Sequence, residues 1–212
     1  MTKPFGALAA ALSVVAVIAV AGCSSPPAAI APPAPVINKS GWNSTQLGLI
    51  AATGDPATMP GTPGIGKGII YFSRVYIDQH AAATVALTAV ITPGTDLTDS
   101  YLGVYDPDTG TLLASTADIS SQLETAGTVR AKFTSPLPAQ AVNKELWLAV
   151  VIGGESKPPA VVGDREYGTN LNLTSDFRLW VSSKDNYTQL PDTAPPRKQA
   201  QNSAIPFLAI SA

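Results

Sequence analysis

Between residues 46 and 212 this chain never keeps apolar residues at helical spacing for more than a turn or two, residues 120–125 excepted. Short apolar runs recur instead, separated by Gly, Pro, Asp and Thr, and such runs are strands punctuated by turns. Residues 84–92 alternate, with Val85, Leu87, Ala89 and Ile91 on one face and Ala86, Thr88, Val90 and Thr92 on the other. Residues 127–134 do the same, setting Val129, Ala131 and Phe133 against Arg130, Lys132 and Thr134. Two half-buried strands predict a sheet with one wet side. Composition agrees: 17 Gly, 19 Pro and a charged fraction of only 13% suit many strands and turns better than helices.

Two segments sharpen this expectation. Residues 145–153 carry Leu146, Trp147, Leu148, Val150, Val151 and Ile152, apolar on both faces, which predicts a central strand. Residues 101–116 predict a hairpin. There Leu102 and Val104 lead into Asp106-Pro107-Asp108-Thr109-Gly110, and Leu112 and Leu113 resume the apolar run. Pro fixes φ, Asp bonds nearby backbone and Gly accepts positive φ, so that order of residues turns the chain. The expected fold is all-β: a single antiparallel β-sandwich, jelly-roll-like, over residues 46–212.

The N-terminal segment has a different logic. Lys3 precedes an apolar run from Phe5 to Val20, and Val20-Ala21-Gly22 stand before Cys23, the single cysteine. A positive start, an apolar stretch and small residues before a cut are the layout of a secretory signal. Val20-Ala21-Gly22-Cys23 resembles the lipobox of bacterial lipoproteins. The resemblance implies cleavage before Cys23, a diacylglyceryl thioether on its sulfur, and a protein anchored in the cell membrane with its domain on the extracytoplasmic face. A spanning helix would have no need of small residues packed against a cysteine. Two or more acyl chains hold a protein stably on a bilayer, where one holds it marginally. Residues 1–22 are thus read as a lipoprotein signal peptide and residues 23–45 as the lipidated cysteine and a tether. The Pro-rich stretch at 26–35 favours an extended spacer, about 3.1 Å per residue.

Most chemistry-bearing motifs point to nothing further. With 13 basic and 15 acidic residues and a net charge of -2, the chain has no basic footprint for nucleic acid. Residues 61–68 nearly spell a phosphate-binding loop, but Gly68 takes the Ser/Thr position and a strand follows where a helix should begin. His80 is the single histidine. A hydrolase using it is a less favoured reading, because no Gly-x-Ser-x-Gly elbow accompanies it. One histidine and one lipidated cysteine do not make a zinc site. Asp106 and Asp108 lack the further acidic ligands of a calcium loop, so a plain turn is favoured. No catalytic residue, metal ligand or cofactor is therefore assigned.

Aromatic side chains are better material for recognition, since they concentrate at interfaces. Trp42, Tyr105, Tyr167, Trp180 and Tyr187 are the candidate binding residues, with Tyr101 a further candidate and Trp147 assigned to the core. The loop-rich residues 154–203 are the expected place for recognition.

The runs Gly68-Ile69-Ile70-Tyr71-Phe72-Ser73-Arg74-Val75 and Leu102-Gly103-Val104-Tyr105-Asp106, with Gly110-Thr111-Leu112-Leu113-Ala114-Ser115-Thr116 and Trp147-Leu148-Ala149-Val150-Val151, resemble a β-sandwich domain of tail and prophage surface proteins of actinobacterial phages. That resemblance implies a sandwich and no catalytic residue. Two functional expectations follow. The first is a membrane-anchored lipoprotein displaying a non-enzymatic binding module, with the bilayer and an envelope glycan or protein as partners. The alternative is a structural protein of a phage or prophage, of minor-tail or receptor-binding type.

Overall fold

A computed structural model describes residues 44–59, 64–165, 178–199 and 204–212. All of them lie within the unit spanning Lys39–Ala212. In chain order the strands are β1 (Leu49–Ala52), β2 (Tyr71–Tyr76), β3 (Ala83–Thr92), β4 (Thr98–Tyr105), β5 (Leu112–Ser115), β6 (Gly127–Leu137), β7 (Glu145–Gly153), β8 (Ala160–Val161), β9 (Gly163–Arg165), β10 (Leu179–Ser182), β11 (Arg197–Gln199), β12 (Ala204–Pro206) and β13 (Ala209–Ser211). A 3-10 turn, Ser44–Leu47, precedes β1, and a one-turn helix α1 (Ser120–Leu123) sits between β5 and β6. Among the described residues no helix is long and apolar enough to cross a membrane.

The protein is an all-β sandwich of antiparallel sheets. One sheet runs β1-β13-β3-β6, with β8 also paired to β3; the other runs β11-β10-β2-β7-β4-β5; β9 and β12 form a separate ribbon. An isolated bridge between Thr116 and Phe133 ties the two sheets together beyond β5.

Alternation along β7 decides how the layers are built. Leu146, Leu148, Val150 and Ile152 enter the core between the sheets. There they meet Val75, Leu102 and Val104 of their own sheet and Ala86, Val90, Val129, Ala131, Phe133 and Ile210 of the other. Trp147, Ala149 and Val151 point the opposite way and join Ile70, Phe72 and Tyr105 in a second apolar cluster. β7 is central, between β2 and β4, and its second apolar face is buried because residues 183–196 run across it. Along β6, Val129, Ala131 and Phe133 are buried, and Arg130, Lys132 and Thr134 are exposed, as their alternation predicts.

The expectation of one wet side holds for β6 and fails for β3. Ala86 and Val90 face the inter-sheet core, but Leu87 on the other face is also buried, in a third cluster with Leu49, Phe207 and Ala209. The segment linking β12 to β13 covers it, and the Thr88 hydroxyl donates to the Phe207 carbonyl at 2.8 Å.

The predicted hairpin is β4–β5. The Asp106 Oδ1 accepts from the backbone N–H of Asp108 at 2.8 Å, and Gly110 takes φ 70°. Residues 64–68 lead into strand β2 rather than a helix, with Gly68 at φ 65°.

Candidate functional site

The outer face of the six-stranded sheet carries the most distinctive side-chain arrangement among the described residues. Phe72 comes from β2, Tyr105 from β4, Trp147 from β7 and Trp180 from β10, four neighbouring elements that bring rings far apart in sequence onto one surface. Phe72 meets Tyr105 and Trp147 edge to face, with ring centres 5.4 and 6.3 Å apart. Trp147 and Trp180 lie 5.8 Å apart, tilted by 46°. Offset and edge-to-face pairs of this kind add to the burial itself.

Arg197 of β11 closes the cluster. Its guanidinium carbon stands 3.5 Å from the centre of the Trp147 ring and 5.9 Å from those of Phe72 and Trp180. A guanidinium laid on an indole is held by the ring's negative face and needs no carboxylate to fix it. Among the described residues none forms an ion pair with it. Burial against the rings pulls its pKa below the ordinary arginine value, and arginine remains a cation in proteins.

Residues 183–196 strap this surface. Tyr187 N–H donates to the Gly68 carbonyl at 3.0 Å, Leu112 N–H to Asp192 at 2.8 Å and Ala194 N–H to Gly110 at 2.7 Å. Leu190 fills the middle, 7% exposed. Where the strap meets the β4–β5 turn, an open groove forms. It is lined by Asp108 and Thr109 of the turn, by Thr193 and Pro195 of the strap, and by Trp180 and Arg197.

The sequence-named binding residues separate here. Trp180 is half-buried and lines the groove. Tyr187 and Tyr101 are half-buried and pack against the aromatic cluster. Tyr105 is corrected: it is 0% exposed, and its hydroxyl donates to the Pro191 carbonyl at 2.8 Å. The strap covers it, so its ring offers no surface to a ligand. Cys23, Trp42 and Tyr167 lie outside the described residues.

Trp147, assigned to the core, is 6% exposed, yet it belongs to the outer cluster and supports Arg197. Its parity marked this: Leu146, Leu148 and Val150 share one face of β7, so Trp147 had to take the other. Arg197, which sequence reasoning passed over, had only Pro195 and Pro196 beside it as a local signal.

The remaining motifs have ordinary structural partners. His80 is exposed, and its Nδ1 donates to the Gln140 carbonyl at 2.8 Å. Lys144 Nζ stands 2.7 Å from Asp108 Oδ2 and 3.6 Å from Asp106 Oδ2, a cation already placed between the two carboxylates. Among the described residues no three His, Cys, Asp or Glu side chains come together as a metal set.

No protein-family model matches this sequence, and no curated protein is significantly similar to it.

Proposed function

We propose that this protein is a lipid-anchored surface protein of the bacterial cell envelope whose β-sandwich is a non-enzymatic binding module. The observation that carries the reading is Val20-Ala21-Gly22-Cys23 at the end of the apolar run, with no second cysteine to claim the thiol. A Pro-rich spacer next to an acyl anchor gives reach from the bilayer, and an antiparallel sandwich that leaves Trp180 and Arg197 accessible beside the strap offers a surface for recognition.

The anchor is tested by expressing the full chain and its Cys23→Ser variant in a bacterium that processes lipoproteins, then separating membranes and measuring intact mass. The parent chain fractionates with membranes and carries the mass of a diacylglyceryl group after loss of residues 1–22. The variant is released or accumulates as the uncleaved precursor. A Cys23→Ser protein that is still processed and still membrane-bound overturns the reading.

A further inference from the structure

We infer that the groove between the β4–β5 turn and the strap binds an acidic oligosaccharide, with Arg197 holding a sugar carboxylate and Trp180 stacking on the ring that bears it. This inference rests on the binding-module reading and gives that module a ligand class.

Three observations meet in the groove. The first is the state of Arg197. With its face on Trp147 and no acidic partner among the described residues, it is oriented in advance, and the in-plane N–H donors at the guanidinium edge are left for a ligand. A planar fork of donors matches a carboxylate through two parallel hydrogen bonds. The second is Trp180, half-buried against Trp147 and partly open to the groove. A half-open indole presents an apolar plane of the size that the C–H face of a pyranose covers. The third is the polar character of the walls. Asp108, 76% exposed, gives one carboxylate oxygen to Lys144, and the exposed Thr193 also lines the groove.

Charge selects among anionic ligands. A ligand that sets an anionic group against Asp108 as well as one against Arg197 would be repelled there, because like charges at close range disfavour each other. A ligand with a single carboxylate per residue and many hydroxyls satisfies both ends: its carboxylate pairs with Arg197 and its hydroxyls donate to Asp108 and Thr193. Sugars with a ring carboxylate have that pattern. Phosphate offers no apolar face to Trp180, and an acidic peptide brings its negative charges without hydroxyls.

The test is calorimetric titration of the purified full chain in detergent with tetragalacturonate. Its methyl ester, neutral maltotetraose, inorganic phosphate and a tetraglutamate peptide serve as comparisons. The expected result is saturable binding of tetragalacturonate, at least tenfold tighter than of any comparison. Arg197→Gln brings it to the level of the ester, and Arg197→Lys weakens it because an ammonium lacks the fork. Thr193→Glu, a change at an exposed position away from the aromatic packing, abolishes binding while the melting temperature is unchanged. That variant keeps the test decisive even where a change at Arg197 disturbs the fold.

Absence of saturable binding overturns the inference, as does equal affinity for the ester or for phosphate, or preference for the peptide. Tight binding of a neutral glycan that ignores Arg197 also overturns it but leaves the binding-module reading standing. The fate of Cys23→Ser bears on the anchor alone.

Discussion

The Tyr105 hydroxyl donates to the Pro191 carbonyl at 2.8 Å, joining β4 to the strap across 86 positions of sequence. Tyr105→Phe leaves that carbonyl without its partner, and the expected loss is about 1–2 kcal/mol in urea unfolding. The pH profile gives a second readout. Burial first, then the charges of Asp192 and Tyr187, raise the Tyr105 pKa far above its ordinary value. Above about pH 10 the unfolded tyrosine ionises while the folded one keeps its proton, so stability is full below that pH and falls as pH rises. Unfolding midpoints from pH 8 to 11 should fall less steeply for Tyr105→Phe than for the parent. Equal slopes would contradict this account.

Gly68 stands at φ 65°, where its N–H donates to Ile152 at 2.7 Å and its carbonyl receives the Tyr187 N–H. An added Cβ would press on the backbone of Asp185, 2.9 Å from its carbonyl carbon. Gly68→Ala is expected to cost about 1–3 kcal/mol from backbone strain, plus displacement of the strap. Loosening should redden the emission of Trp180 before global unfolding. An unchanged spectrum and melting temperature would show that the strap does not depend on this contact.

The β4–β5 turn separates two kinds of polar contact. The Asp108 backbone N–H is the main cause holding the Asp106 carboxyl below its ordinary pKa, burial opposing it and Lys144 helping. Asp106→Ala removes the turn's internal acceptor and should lower stability by about 1 kcal/mol. Lys144→Ala removes solvated ion pairs, which are weak, and thermal melting should not register it. A larger effect from Lys144 than from Asp106 would reverse this assignment.

Asp118 fastens the start of α1 to β4. Its Oδ1 accepts from Ser120 N–H at 2.9 Å, Ser120 Oγ at 2.5 Å and Ser100 N–H at 3.1 Å. Burial pushes its pKa up, but these hydrogen bonds outweigh it and the net shift is downward. The stabilisation is therefore present above about pH 4 and lost as pH falls through the folded-state value. Asp118→Asn should unfold more readily at pH 7 and show a shallower stability profile between pH 2 and 4. An unaltered acid limb would count against it.

Much of the fold is legible because its signals are local. The β6 alternation, the apolar double face of β7 and the Pro-Asp-Thr-Gly turn each act within a few residues. What covers a sheet face is set by long-range contacts, and there the sequence is mute. Tyr105 reads as a surface ring only while the outer face of its sheet is taken to be wet, and nothing regular in residues 183–196 announces that they lie across it. The burial of β3 on both faces escapes alternation for the same reason, the cover over Leu87 being Phe207. The candidate site shares this limit: Trp180 is recognisable as an aromatic in a loop-rich region, whereas the pairing of Arg197 with Trp147 depends on β11, β10, β2 and β7 standing side by side.

The position of β13 has a consequence for biogenesis. Ala209–Ser211 lies between β1 and β3, and Leu49 pairs with Ser211. The first sheet therefore lacks an interior strand until residues 209–211 pair with residues 49–52, and closing so long a loop slows folding.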